Sequence, residues 1–157
     1  MNSTPTAKDD AQSLVDELLP FAKRMLGEYR EFLPYGGHMR VDGEIVHEGA
    51  TTGEERSKSQ PLIDILRDAH REQARMGSIR AACIVYDMRI VPPKRTEKQD
   101  AIAFELDHRD DYSGVAVYPY TIDDSGAVCI ETPFGFRGQG DIFPSYAINE
   151  EAEQAAT

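Results

Sequence analysis

Asp42-Gly43 sits between two strand-like runs, His38-Met39-Arg40-Val41 and Glu44-Ile45-Val46-His47. Such a dipeptide between such runs predicts a β-hairpin closed by a two-residue turn, because that turn needs positive φ at both central positions. The turn would also fix the register. Val41 would face Glu44, Met39 would face Val46, and His38 would face His47. An antiparallel hairpin buries nothing alone, so the rest of the chain must supply the strands that extend it and the layer that covers it.

The covering layer is legible on both sides of the hairpin. Upstream, Leu14, Leu18, Ala22, Met25, Tyr29 and Phe32 recur every three or four residues, a helical stripe broken by Pro20. Proline lacks the N–H that bonds back one turn, so a kink or a new helix is expected there. Downstream, Ser59 is placed as an N-cap with Pro61 in the first turn, and Gly77 as the residue that ends the helix. Leu62, Ile65, Leu66, Ala69, Gln73 and Met76 would form its buried stripe.

The second half reads as strands. Residues 79–91 are rich in apolar and β-branched side chains. In 101–108, Ile102, Phe104 and Leu106 alternate with Glu105 and Asp107, which predicts one buried and one solvated face. Residues 115–122 form a further strand whose Pro119 cannot donate to a ladder, so an edge or a bulge is expected. A turn at Asp123-Asp124-Ser125-Gly126 leads to a return strand at 127–131. Residues 132–144 read as an ordered loop pinned by Phe134, Phe136 and Phe143. The predicted fold is α+β, a mainly antiparallel sheet of five to six strands with two principal helices packed on one face. One parallel pair is allowed, because residues 44–48 precede the second helix and 79–91 follow it. Residues 14–144 would be the domain, flanked by a mobile tail at 1–13 and an acidic tail at 145–157.

Composition narrows the function classes. The chain of 157 residues carries a net charge of −11, opposite to the cationic footprint of a nucleic-acid binder. Residues 1–13 contribute one negative charge and 145–157 three, which leaves −7 on the body. A surface of that sign would attract a basic partner and speed its capture. No stretch approaches the 18 apolar residues of a membrane span, and the N-terminus lacks a signal-peptide pattern, so a cytoplasmic location is expected. Cys83 and Cys129 both lie in apolar runs and are expected as buried thiols. No motif calls for a cofactor.

Four constellations are candidates for chemistry or binding. His38 and His47, facing each other with Cβ atoms about 4.5–5.5 Å apart, would offer two metal ligands. His108, His70 and Asp107 are candidates for a third. Asp87, Glu105 and Asp107 lie on neighbouring strands and would serve acid–base work only if burial drove their pKa values apart. Phe136 and Arg137, with Phe134 and Phe143, would form a partner-contact rim, since aromatics and arginine are enriched at interfaces. Arg89, Lys94, Arg95 and Lys98 cluster around Pro92-Pro93, a local reversal of the acidic charge.

Several stretches carry a family resemblance. They include Glu31-Phe32-Leu33-Pro34-Tyr35-Gly36, Ile84-Val85-Tyr86-Asp87, Val91-Pro92-Pro93 and His108-Arg109-Asp110-Asp111-Tyr112-Ser113. Over residues 14–144 the chain resembles a family of small, acidic, uncharacterised bacterial proteins, which implies a bacterial protein of unassigned function and supplies no catalytic residues to carry over. Its element order is also similar to the compact α+β shape of type III secretion chaperones and toxin-immunity proteins, both small acidic binders. The expected function is therefore a non-catalytic, cytosolic protein-binding domain, immunity-like or chaperone-like, with Glu105, Asp107, Phe136 and Arg137 as contact residues and a homodimer left open. The rival is a small enzyme, metal-assisted in one form, built on His38, His47 and a carboxylate.

Overall fold

The structure is a computed structural model that describes residues 5–53 and 58–143. The acidic segment 145–157 lies outside the described residues. The elements run α1 (Ala7–Tyr29), β1 (Tyr35–Arg40), β2 (Ile45–Glu48), α2 (Ser59–Arg75), β3 (Ile79–Ile90), β4 (Gln99–His108), β5 (Tyr112–Ile122), β6 (Val128–Ile130) and β7 (Phe134–Arg137). The strands form one antiparallel sheet ordered β2-β1-β3-β4-β5-β6, and β7 also pairs with β5. The α+β class and the antiparallel sheet are as expected. The expected loop at 132–144 contains the seventh strand. The allowed parallel pair does not form, because β1 inserts between β2 and β3. No described helix is long and apolar enough to cross a membrane.

The two helices take opposite faces of the sheet, not one. Consecutive glycines of β1 show this directly. A Cβ on Gly36 would meet Leu66 and His70 of α2, whereas a Cβ on Gly37 would lie 3.0 Å from Leu18 of α1. Both helices therefore approach the same strand closely, from either side. Leu14, Val15, Leu18, Ala22 and Leu26 of α1 pack on Tyr35, Met39, Cys83, Val85, Ile102, Phe104 and Leu106. Ile63 and Leu66 of α2 pack on Ile84. Side chains alternate across a strand, so β3, covered on both sides, is buried continuously from Ala81 to Val85.

α1 begins inside the expected mobile tail. Thr6 and Asp9 form a reciprocal capping box, and Asp10 and Ala11 are buried. The helix continues through Pro20 as a single element. In α2 the buried positions are Leu62, Ile63, Leu66 and His70, a stripe rotated away from the expected one. Ala69 is exposed, as are Ile65 and Met76.

The hairpin has the expected turn but a longer loop. The Arg40 N–H donates to the Glu44 carbonyl at 2.8 Å, and the Gly43 N–H to the Arg40 carbonyl at 2.9 Å. Gly43 is left-handed at φ +95°, but Asp42 is not. The Asp42 carboxylate instead accepts the Glu44 N–H at 2.9 Å. This is a type I turn closed by a glycine bulge, with Val41, Asp42 and Gly43 as the loop. One extra loop residue slides β2 by one position, so His38 faces Val46 and Gly37 faces His47.

At the far edge, β6 covers residues 120–122 of β5 and β7 covers 114–117. Pro119 falls in the seam between them. Its carbonyl accepts the Glu131 N–H at 2.8 Å on that outer side, where its missing N–H would also point.

Candidate functional site

Two regions stand out: a buried polar layer beneath α2 and an open track across the β5 edge. The buried layer follows from alternation. Cross-strand pairing places His38, Ala82, Asp107 and Ser113 in one row, and Glu48, Gly36, Ile84, Glu105, Val115 and Phe136 in the next. These rows face α2. Glu105 and Asp107, expected to face solvent, are therefore covered, because the second face of the sheet carries its own helix. Asp107 is 9% exposed, and Glu105 receives the Arg67 guanidinium at 2.7 Å.

Glu48 is the hub of the layer. Its Oε1 lies 2.9 Å from His38 Nδ1 and 2.8 Å from His70 Nε2. Burial pushes the Glu48 carboxyl up, but the hydrogen bonds and charges of His70 and His38 outweigh it and hold it below the usual carboxylate value. His38 thus meets one of its candidate third partners, His70, through a shared carboxylate. His47 goes to the opposite face, where its Nε2 lies 3.0 Å from Glu17 Oε1 of α1. The expected His38–His47 metal pair does not form. Among the described residues, no group of three His, Cys, Asp or Glu is arranged to hold a metal ion.

Asp107 is the most perturbed acid of the layer. Burial raises it to about 6, against the lowering effect of its hydrogen bond with Ser113. Among the described residues, its Oδ1 and the Nδ1 of His70 are both buried without a hydrogen-bond partner. An acid raised on folding stabilises the protein fully below its unfolded value and loses that contribution as pH rises through its folded value. Asp107→Asn should therefore raise stability by about 1–3 kcal/mol at pH 7.5 and leave it unchanged near pH 3.5. Urea melts at the two pH values check this; an equal gain at both would remove the ionisation of Asp107 as the cause.

The remaining expected acid, Asp87, lies on the α1 side, where its Oδ1 accepts from the Tyr120 hydroxyl at 2.8 Å. It shares no face with Glu105 or Asp107, so the three acids do not form one group. Cys83 is buried as expected, and burial pushes its thiol well up. Cys129 is exposed, because Val128 and Ile130 take the inward positions of β6.

A second buried cluster escaped the sequence reading. Asp10, in the first turns of α1, accepts from Arg80 Nε at 3.1 Å and Nη2 at 3.0 Å. The same carboxylate lies 2.8 Å from His108 Nε2. His108 Nδ1 accepts the Asp110 N–H at 3.0 Å, which makes Nε2 the donor to Asp10. These residues are too far apart in sequence for any spacing rule to join them.

The open track lies at the opposite end of the sheet from the buried layer's hub. One cleft of about 500 Å³ is lined by residues 94–99 with Thr121 and Glu131. A second of about 200 Å³ lies between Pro92, Pro93, Pro119 and Pro133, and shares Arg95 and Glu131 with the first. A third of about 510 Å³ runs along Tyr112, Val115, Phe134, Phe136 and Arg137, and shares Pro133 and Phe134 with the second. Phe136 is 49% exposed on β7. None of the three is lined by His38, Glu48, His70, Glu105 or Asp107. Of the four expected contact residues, only Phe136 and Arg137 line the track.

Comparison with protein-family models, with characterised proteins and with solved structures finds no match to this chain.

Proposed function

We propose that this chain is a non-catalytic binding domain that takes up an extended segment of a protein partner along the end of its sheet where β6 and β7 pair with β5. The supporting observation is the continuity of the three clefts, which run from Lys94 past the four prolines to Phe136. β5 spans 11 residues, so the track offers about 35 Å, enough for about ten extended residues. Such a site combines an open track with an exposed aromatic, the kind of residue that dominates interface energetics. An immunity-like or chaperone-like role is the finer form of this reading.

The enzyme reading has less support. Its His38–His47 pair is split across the sheet, and the imidazoles that do converge, His38 and His70, are satisfied by Glu48 in a layer the clefts do not reach. A fastening role for that layer explains the same contacts, since it ties α2 and β2 to the sheet.

Panning a displayed library of random twelve-residue peptides against the folded protein tests the proposal. Peptides should be enriched, and Phe136→Asp should weaken them about tenfold or more, as loss of a central aromatic anchor does. Phe136 is half exposed, so the variant should retain its melting temperature. Enrichment of peptides indifferent to Phe136→Asp would reject the track as the binding site.

A further inference from the structure

We infer that the segment taken up on this track carries carboxylates, which are read by Lys94 and Lys98 at its mouth. This rests on the docking reading above and adds the chemistry of the occupant. The lysines are exposed and, among the described residues, neither has an ion pair or side-chain hydrogen bond. Their neighbour Arg95 is already engaged, with Gln99 Oε1 at 2.7 Å and Glu131 Oε2 at 3.0 Å. Two uncommitted cations thus flank a cleft of about 500 Å³ in a chain of net charge −11; with Arg95 they outnumber by one the two carboxylates that also line it, Glu97 and Glu131.

The backbone fixes where one of them leaves the chain. The Arg95 N–H donates to the Pro92 carbonyl at 3.1 Å, and Lys94 sits at φ +65°. Pro93 cannot adopt positive φ, so the turn is type II, with Lys94 at the position glycine normally fills. A side chain kept in that region is held by its surroundings at a cost in strain. The Lys94 side chain leaves this turn at the cleft that it lines. Beyond the mouth, Pro93 and Pro133 offer exposed, rigid apolar surface above the buried Pro92 and Pro119. The complementary occupant has one or two acidic residues followed by apolar ones. Electrostatics supplies the selectivity: an acidic segment is repelled by the acidic body and attracted at this cleft.

The probe is the best-enriched peptide from the panning, labelled with fluorescein and synthesised with its Asp and Glu residues intact or changed to Asn and Gln. Fluorescence anisotropy should show Lys94→Glu/Lys98→Glu weakening the acidic form about 10–100-fold and the amide form less than twofold. Raising salt from about 50 to about 500 mM should weaken only the acidic form, as the screening length falls. Lys94→Gly/Lys98→Gln removes both charges while suiting the turn, and should weaken the acidic form about tenfold with no loss of melting temperature. Peptides that depend on Phe136 but bind equally in both forms would overturn the inference and leave the docking reading standing. Absence of Phe136-dependent peptides would overturn both. Equal competition by short-chain polyphosphate would mark a general anion surface and also overturn the carboxylate assignment.

Discussion

Asp10→Ala is expected to cost about 3–5 kcal/mol, the usual penalty for removing one partner of a buried ion pair. Asp10 is 5% exposed and His108 2% exposed, so neither charge nor ring is well placed to take up water instead. The substitution leaves the Arg80 guanidinium with the Val41 carbonyl and Met39 but no counter-charge, and the His108 Nε2 donor without its carboxylate. It also detaches the start of α1 from β3 and β4, the strands that carry Arg80 and His108. Urea denaturation at pH 7 measures the loss. A cost below about 1 kcal/mol, well under the buried-pair range, would mean that water replaces the carboxylate and that the cluster does not anchor the helix.

Phe104→Ala should cost about as much, 3–5 kcal/mol, by a different mechanism. Phe104 is fully buried between α1 and the sheet, with Tyr118 edge-on at 5.4 Å between ring centroids. Its neighbours are strands and a long helix, which cannot collapse freely into the space left behind. The loss should therefore include the cavity as well as the transfer of the ring. It should be independent of pH, unlike the effect of Asp107→Asn one strand face away. A loss below about 1 kcal/mol would show that the α1 face is loosely packed.

The contrast between these two positions shows what the sequence could and could not reveal. The alternation at 101–108 gives Phe104 and Leu106 a common buried face, and they occupy it. The same alternation predicts that Glu105 and Asp107 face solvent. That step assumed one covered face. The unbroken apolar run Ala81–Val85 argues the opposite, since a strand covered on both sides needs no alternation. His70 was also within reach, because it follows Leu62 and Leu66 at four-residue spacing on the buried side of α2. The hairpin register failed by one residue because Asp-Gly fits a two-residue turn and also the last two positions of a three-residue loop. Asp10, Arg80 and His108 had no sequence signal at all, since only the sheet order and the placement of α1 bring them together.

The candidate track has a similar history. Residue type marks Phe136 and Arg137 in the sequence, and charge marks the cluster around Pro92-Pro93. Their union depends on β5 dividing its outer edge between β6 and β7, which places Pro119 and Pro133 beside the β3–β4 loop. β6 falls within the return strand expected at 127–131, whereas the four-residue β7 leaves little periodicity to detect.

Hydrogen–deuterium exchange with and without a saturating enriched peptide tests the docking claim most directly. The account predicts slowed exchange confined to residues 92–99 and 112–137, the segments that line the track. Slowed exchange in the β1–β2 hairpin or α1, with residues 112–137 unchanged, would contradict it.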